Sequence, residues 1–157
     1  MIDAIPDHIF FKDRQFRYLG CNRSFSEDMV GVPPADVLGR TDFELLRDAD
    51  TAEARRATDS EAMNSGAPTR HEEVLPLAAG TEMIAETVKV PFRDAAGNVA
   101  GVIGISRDIS DRRRAEDRIR HLAQHDLLTG LPNRALFADR VENAIAAARR
   151  EHTLLGL

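Results

Sequence analysis

The chain has 157 residues, 43% of them hydrophobic, enough for one core of ordinary size plus an extension. Its 26 acidic and 21 basic residues leave a formal charge of -5, the wrong sign for nonspecific nucleic-acid binding, which needs clustered Lys and Arg to displace counterions. The single cysteine, Cys21, excludes an intrachain disulfide and the zinc patterns built on two or four cysteines. No run reaches the ~18 apolar residues of a membrane span. The N-terminus lacks the basic start and apolar stretch of a signal peptide. A soluble, cytoplasmic chain is expected, with domains upstream of Met1 left open.

Ile9-Phe10-Phe11 and Phe16-Arg17-Tyr18-Leu19, parted by the polar Asp13-Arg14-Gln15, predict a β-hairpin. Residues 22–31 predict a short helix capped by Asn22 or Ser24, with Phe25 and Met29 on one face, ended by Pro33-Pro34. Residues 36–39 read as one turn closed by Gly39. Thr41 and Glu44 have the spacing of a capping box. Residues 50–64 predict a helix whose apolar positions are mostly alanines (Ala52, Ala54, Ala57, Ala62) with Met63, giving strong propensity and a thin apolar face.

Three strands follow, at 70–77, 82–93 and 98–109. In the second, Ile84, Val88, Val90 and Phe92 share one parity, so that face is expected to be the buried one. Asp94 to Asn98 is a hairpin loop with Gly97 available for positive φ. Gly101 and Gly104 predict close approach of another backbone or a helix. Two strands, short helices and three more strands, with no βαβ alternation, predict an α+β domain: a five-stranded antiparallel sheet with the helices on one face.

A charged helix is expected next, capped by Ser110 or Asp111 and reaching about His125. Ala115, Ile119 and Leu122 follow the 4-3 spacing of a coiled-coil seam, and Glu116 and Arg120 can pair at i,i+4. So short a seam cannot hold a dimer alone, but it can pass register between domains that dimerise elsewhere. The run Arg112-Arg113-Arg114 reads as a solvated helix face rather than a nucleic-acid patch. Beyond it, Thr129 to Pro132 is a turn, and Asn133 is a good N-cap for a helix with Phe137, Val141, Ala144 and Ala148 on one face.

Four stretches in this order resemble the PAS family of sensory domains. They are Ile5 to Asp13, Leu19 to Phe25, Val37 to Phe43, and Gly101 to Ser110 with its closing Asp108-Ile109-Ser110. The resemblance implies a PAS fold with a C-terminal signalling helix, a small ligand or cofactor held between sheet and helices, and a homodimer. Pocket candidates are Cys21, Arg40, Arg55 and His71, the last three suited to an anionic ligand; Asp108, Ile119 and Leu122 are candidates for signal coupling. A flavin adduct is not expected, because Cys21-Asn22-Arg23 departs from the Asn-Cys-Arg-Phe-Leu-Gln motif of light-sensing relatives. Haem is not expected either, because residues 50–64 contain no histidine. The remaining histidines lack metal spacing, so no metal site is expected.

His125-Asp126-Leu127-Leu128-Thr129-Gly130-Leu131-Pro132-Asn133-Arg134 is similar to the opening motif of GGDEF-type diguanylate cyclase domains, and Leu136-Phe137, Arg140-Val141 and Ala144-Ile145 continue the pattern. By this resemblance Asn133 and Glu142 would contact the guanine of GTP in an intact parent, which would use GTP and Mg to make cyclic di-GMP. The family's metal-binding aspartates and its Gly-Gly-Asp/Glu-Glu-Phe loop would lie past Leu157. No cyclase activity is therefore expected of this chain. The expected organisation is a sensory domain at 1–110, a connecting helix at 111–125 and the start of a GGDEF domain at 126–157. The function this suggests is control of cyclic di-GMP synthesis through dimer geometry; the alternative is a ligand-free dimerisation module.

Overall fold

Asn22 shows why the chain doubles back at its start. Fully buried, it accepts at Oδ1 from Ile9 N (2.9 Å) and Phe25 N (3.1 Å), and its Nδ2 donates to the carbonyls of Ile5 (3.1 Å) and Asp7 (2.7 Å). One side chain thereby caps the next helical segment and ties it to the first strand. The other expected cap, Ser24, makes no such bond. This computed structural model describes residues 2–46, 48–126 and 129–151.

Strands β1 (His8–Asp13), β2 (Tyr18–Cys21), β3 (Thr69–Pro76), β4 (Glu82–Arg93) and β5 (Val99–Asp108) form one antiparallel sheet in the order β2-β1-β5-β4-β3. Between β2 and β3 the chain makes a π-helical segment, Phe25–Val30, then α1 (Pro34–Val37), α2 (Asp42–Leu45) and α3 (Ala49–Ser65). The expected α+β class and five-stranded antiparallel sheet are both present. Local signals set the element ends. Thr41 N and Oγ1 both donate to Glu44 Oε2, at 2.7 and 2.8 Å, opening α2. Asp48 accepts from Thr51 N at 3.0 Å to open α3, and Gly66, at φ 65°, closes it.

The buried side of β4 is not the one its apolar residues suggest. Met83, Ala85, Thr87 and Lys89 are buried, while Val90 on the opposite parity is 36% exposed. Ile84, Val88, Val90 and Phe92 face away from the helices, because the helix-facing side includes polar groups that α3 pairs with directly. The glycine expectation holds in its backbone form at Gly101, while at Gly104 the close neighbour is a ring. A Cβ at Gly104 would lie 2.1 Å from the Phe10 ring, and one at Gly101 would lie 2.0 Å from the Lys12 carbonyl. The neighbours that exclude a side chain belong to the adjacent strands, β1 at both glycines and Phe92 of β4 at Gly101, not to a helix.

The core on the helix side gathers Phe10, Tyr18, Phe25, Met29, Val37, Leu75, Met83 and Ala85. Phe10, Tyr18 and Phe25 form an aromatic triangle with ring centroids 5.2 to 6.0 Å apart.

The chain divides into two compact units, Met1–Ser110 and Asp111–Leu157. Ser110 opens α4 (Ser110–Gln124). Its hydroxyl accepts from Ile84 N at 3.0 Å, so it serves β4 instead of capping the helix, and its N–H donates to Asp108 Oδ1 at 2.8 Å. On α4, Ile119 and Leu122 are exposed. Arg120 pairs with Asp117 (3.2 Å) and Glu116 with Arg113 (3.5 Å), in place of the expected Glu116–Arg120 pair. In the second unit, Asn133 precedes α5 (Arg134–Glu151), accepting from Leu136 N at 3.0 Å and donating to the Ala123 carbonyl at 2.7 Å. Leu127, Leu128 and residues 152–157 lie outside the described residues. Among the described residues, no helix is long and apolar enough to cross a membrane.

Candidate functional site

The helix-facing side of the sheet carries an ionic cluster where an apolar core would be usual. Alternation on β1 and β4 points Lys12 and Lys89 toward the helices, and both are almost wholly buried. The buried face of α3 is Ala52, Arg55, Asp59 and Ala62, a 3-4-3 spacing. The two fully buried alanines let the helix approach closely enough for Asp59 to sit between the lysines. Asp59 Oδ2 accepts from Lys12 Nζ at 2.6 Å, and its Oδ1 accepts from Lys89. Lys12 also donates to Asp42 in the first turn of α2, and the Tyr18 hydroxyl donates to the other Asp42 oxygen at 2.7 Å. Lys89 completes its set with Thr58 Oγ1 (2.6 Å) and the Arg55 carbonyl (3.2 Å).

Each charge responds to its setting. Burial opposes the Lys12 ammonium, but Tyr18, Asp59 and Asp42 outweigh it, so its pKa stands above the usual lysine value. For Lys89 burial wins over the attraction of Asp59, and the pKa falls. Burial also opposes ionisation of Asp42, yet the field and hydrogen bond of Lys12 hold its carboxyl below the usual range. Burial pushes the Tyr18 hydroxyl up, so it remains a proton donor to Asp42.

Two spaces adjoin the cluster. The inner one, about 20 Å³, is walled by Phe10, Tyr18, Phe25 and Met29 and has room for a single water. The outer one is an open cleft of about 420 Å³ between the π-helical segment, α2, α3 and the end of β3, within the range of small-molecule sites. Met29 and Arg55 line both.

The family model described as PAS fold matches residues 2–114. This chain belongs to the PAS-fold family. It is 37% identical over 115 residues to the methanogenesis regulatory histidine kinase FilI of Methanothrix harundinacea, covering 73% of this chain and 13% of the kinase. It is 31% identical over 153 residues to a diguanylate cyclase of Vibrio cholerae, covering 96% of this chain and 47% of the cyclase. Among solved structures, VqmA bound to DPO superposes with a TM-score of 0.62 at 25% identity, over 68% of this chain and 54% of VqmA. The chain thus spans less than half the length of either curated relative.

Of the four pocket candidates in this PAS unit, only Arg55 reaches the cleft. Cys21 ends β2, half-buried against the core, and burial pushes its thiol up. Arg40 has an exposed side chain and contributes its carbonyl to Tyr18 N at 2.9 Å. His71, on β3, stands 3.4 Å from Glu61 at the other end of α3. Glu142 is exposed on α5, and both ends of the Asn133 amide are engaged within the chain. Sequence reasoning missed Lys12, Tyr18, Asp42, Asp59 and Lys89. The available signal was a lysine at the inward parity of two strands, matched by an aspartate on the alanine face of α3. Among the described residues, no three His, Cys, Asp or Glu side chains gather as a metal site requires.

Proposed function

We propose that this chain is the sensory and regulatory part of a bacterial diguanylate cyclase. The PAS unit at 1–110 takes a small ligand, and the helix at 111–125 carries the resulting change to a GGDEF domain that begins at 126. The observation that carries this reading is the 153-residue alignment with the Vibrio cholerae diguanylate cyclase, which runs from the PAS unit through the GGDEF-like motif. The PAS unit itself is non-catalytic. In the intact parent, GTP and Mg would be used by the cyclase domain, with Asn133 and Glu142 at the guanine. Two such domains must face each other to join two GTP molecules, so a cytoplasmic homodimer whose geometry follows Asp108, Ile119 and Leu122 is a sufficient control device. The apolar outer sheet face, with Val90 and Ile105 exposed, supports dimerisation.

A second reading, a PAS unit that only dimerises, is favoured by the inner cavity, which Phe10, Tyr18, Phe25 and Met29 nearly fill. Native mass spectrometry of the freshly purified chain separates the two. A dimer carrying a defined extra mass supports the sensor, and a bare dimer favours the dimerisation module. Cyclase output of the full-length parent should change when residues 1–110 are deleted; unchanged output would refute regulation by this unit.

A further inference from the structure

Arg55 is the one member of the buried cluster whose bonding is incomplete. Its side chain is 9% exposed, and neither Nη1 nor Nη2 has a hydrogen-bond partner among the described residues. Asp42 Oδ1 lies 3.7 Å away, close enough to attract but too far to accept. Both Asp42 oxygens are already used, one by Tyr18 and the other by Lys12. Asp59 is used by the two lysines. Of the carboxylates near the three basic side chains, Asp42 and Asp59 are fully engaged, and Glu73, which lines the inner cavity with Arg55 and Lys89 and attracts Lys89, makes no hydrogen bond to Nη1 or Nη2 of Arg55. A guanidinium cannot relieve its unpaired state by losing its proton. Buried donors left unpaired are unfavourable, and a buried charge calls for a counter-charge.

The cleft is placed to supply one. Arg55 stands where it meets the inner cavity, and the walls beside it are Met29, Leu45 and Leu77. The other polar side chains lining the cleft, Asp48 and Thr51, are bonded to each other in the α3 cap. The unpaired side-chain donors thus lie at Arg55, and the cleft otherwise combines the apolar side chains named above with exposed polar atoms.

We propose that the cleft binds a small organic anion, a carboxylate on a compact apolar body, with the carboxylate bridging Nη1 and Nη2 of Arg55 and the body lying against Met29, Leu45 and Leu77. The bidentate pair matches the fork of the guanidinium and gives its two unpaired Nη groups the acceptors they lack. This rests on the sensor reading above and names the chemical class of its ligand.

The test is calorimetric titration of the 157-residue chain with hexanoate and phenylacetate, and with hexanamide, phenylacetamide and acetate as matched controls. The two acids with apolar bodies should bind, and each should exceed its amide and acetate by at least tenfold in affinity. Arg55→Met should abolish the preference for acid over amide. Because that variant can also disturb the fold, two others accompany it. Arg55→Lys keeps the charge but loses the fork and should weaken acid binding about tenfold. Leu45→Trp leaves Arg55 untouched, fills the apolar wall and should block binding. Equal affinity for acids and amides, or undiminished acid binding in a folded Arg55→Met, would overturn the anion assignment while leaving ligand sensing intact. Failure of both acids to bind the parent chain overturns the proposal as well. The retained mass and the 1–110 deletion judge the sensor reading independently of Arg55.

Discussion

Replacing Asp59 by Asn keeps the shape of the side chain and removes the one charge that lies between Lys12 and Lys89. Asp59 is fully buried, and the lysines are 1% and 3% exposed, so neither ammonium can turn to water for compensation. Breaking a buried pair by removing one partner costs about 3 to 5 kcal/mol, and here one carboxylate serves two cations. A loss of about 3 kcal/mol would lower the melting temperature of a unit this size by roughly 10 °C or more. Urea unfolding followed by circular dichroism measures it directly, with an unchanged m-value as the check that only stability has moved. Adding Lys89→Met should recover part of the loss, because Asp59 is the carboxylate that Lys89 bonds, whereas Lys12 keeps Asp42; coupling between contacting groups is typically about 0.5 to 3 kcal/mol. A loss below about 1 kcal/mol for Asp59→Asn would place it among ordinary surface substitutions and refute the view that this cluster is dry.

Gly104→Ala should destabilise the fold by about 1 to 3 kcal/mol, against the usual gain from removing a strand glycine, because the new Cβ meets the Phe10 ring; chemical denaturation reads the sign. Asp42 ionises more easily folded than unfolded. In the window between the two pKa values the unfolded chain holds the extra proton, so stability rises with pH there and is lost as pH falls through the folded value. The urea midpoint should therefore drop below about pH 4, the ordinary aspartate range, and Asp42→Asn should flatten that drop.

Much of the fold is legible because its signals are local. Thr41 and Glu44 announce α2, Gly66 stops α3, and the β4–β5 loop carries Gly97 at φ 85°. The order of elements then limits the sheet to an antiparallel one with helices inserted after β2. The inward face of β4 is not legible in the same way. A lysine at position 89 reads as a solvent-facing residue until its partner is known, and that partner, Asp59, lies 30 residues away, with Lys12 a further 47 from Asp59. The outward valines and isoleucines give the stronger periodic signal, so alternation alone chooses the wrong side. Arg55 could be anticipated as a candidate because it interrupts the alanine face of α3. Cys21, Arg40 and His71 depended on side-chain direction, which short motifs do not encode.

Joining α3 to the sheet through ions also shapes how such a domain can diverge. Each of Lys12, Asp42, Asp59 and Lys89 is costly to lose while its partners stay, yet an apolar set of similar volume would hold helix and sheet together about as well. Mutational paths between the ionic and the apolar solution pass through less stable intermediates. The four positions are therefore expected to be inherited as a group, so that their joint identity marks a lineage more sharply than any one of them, and grafting a single member into a relative with an apolar core should harm that relative.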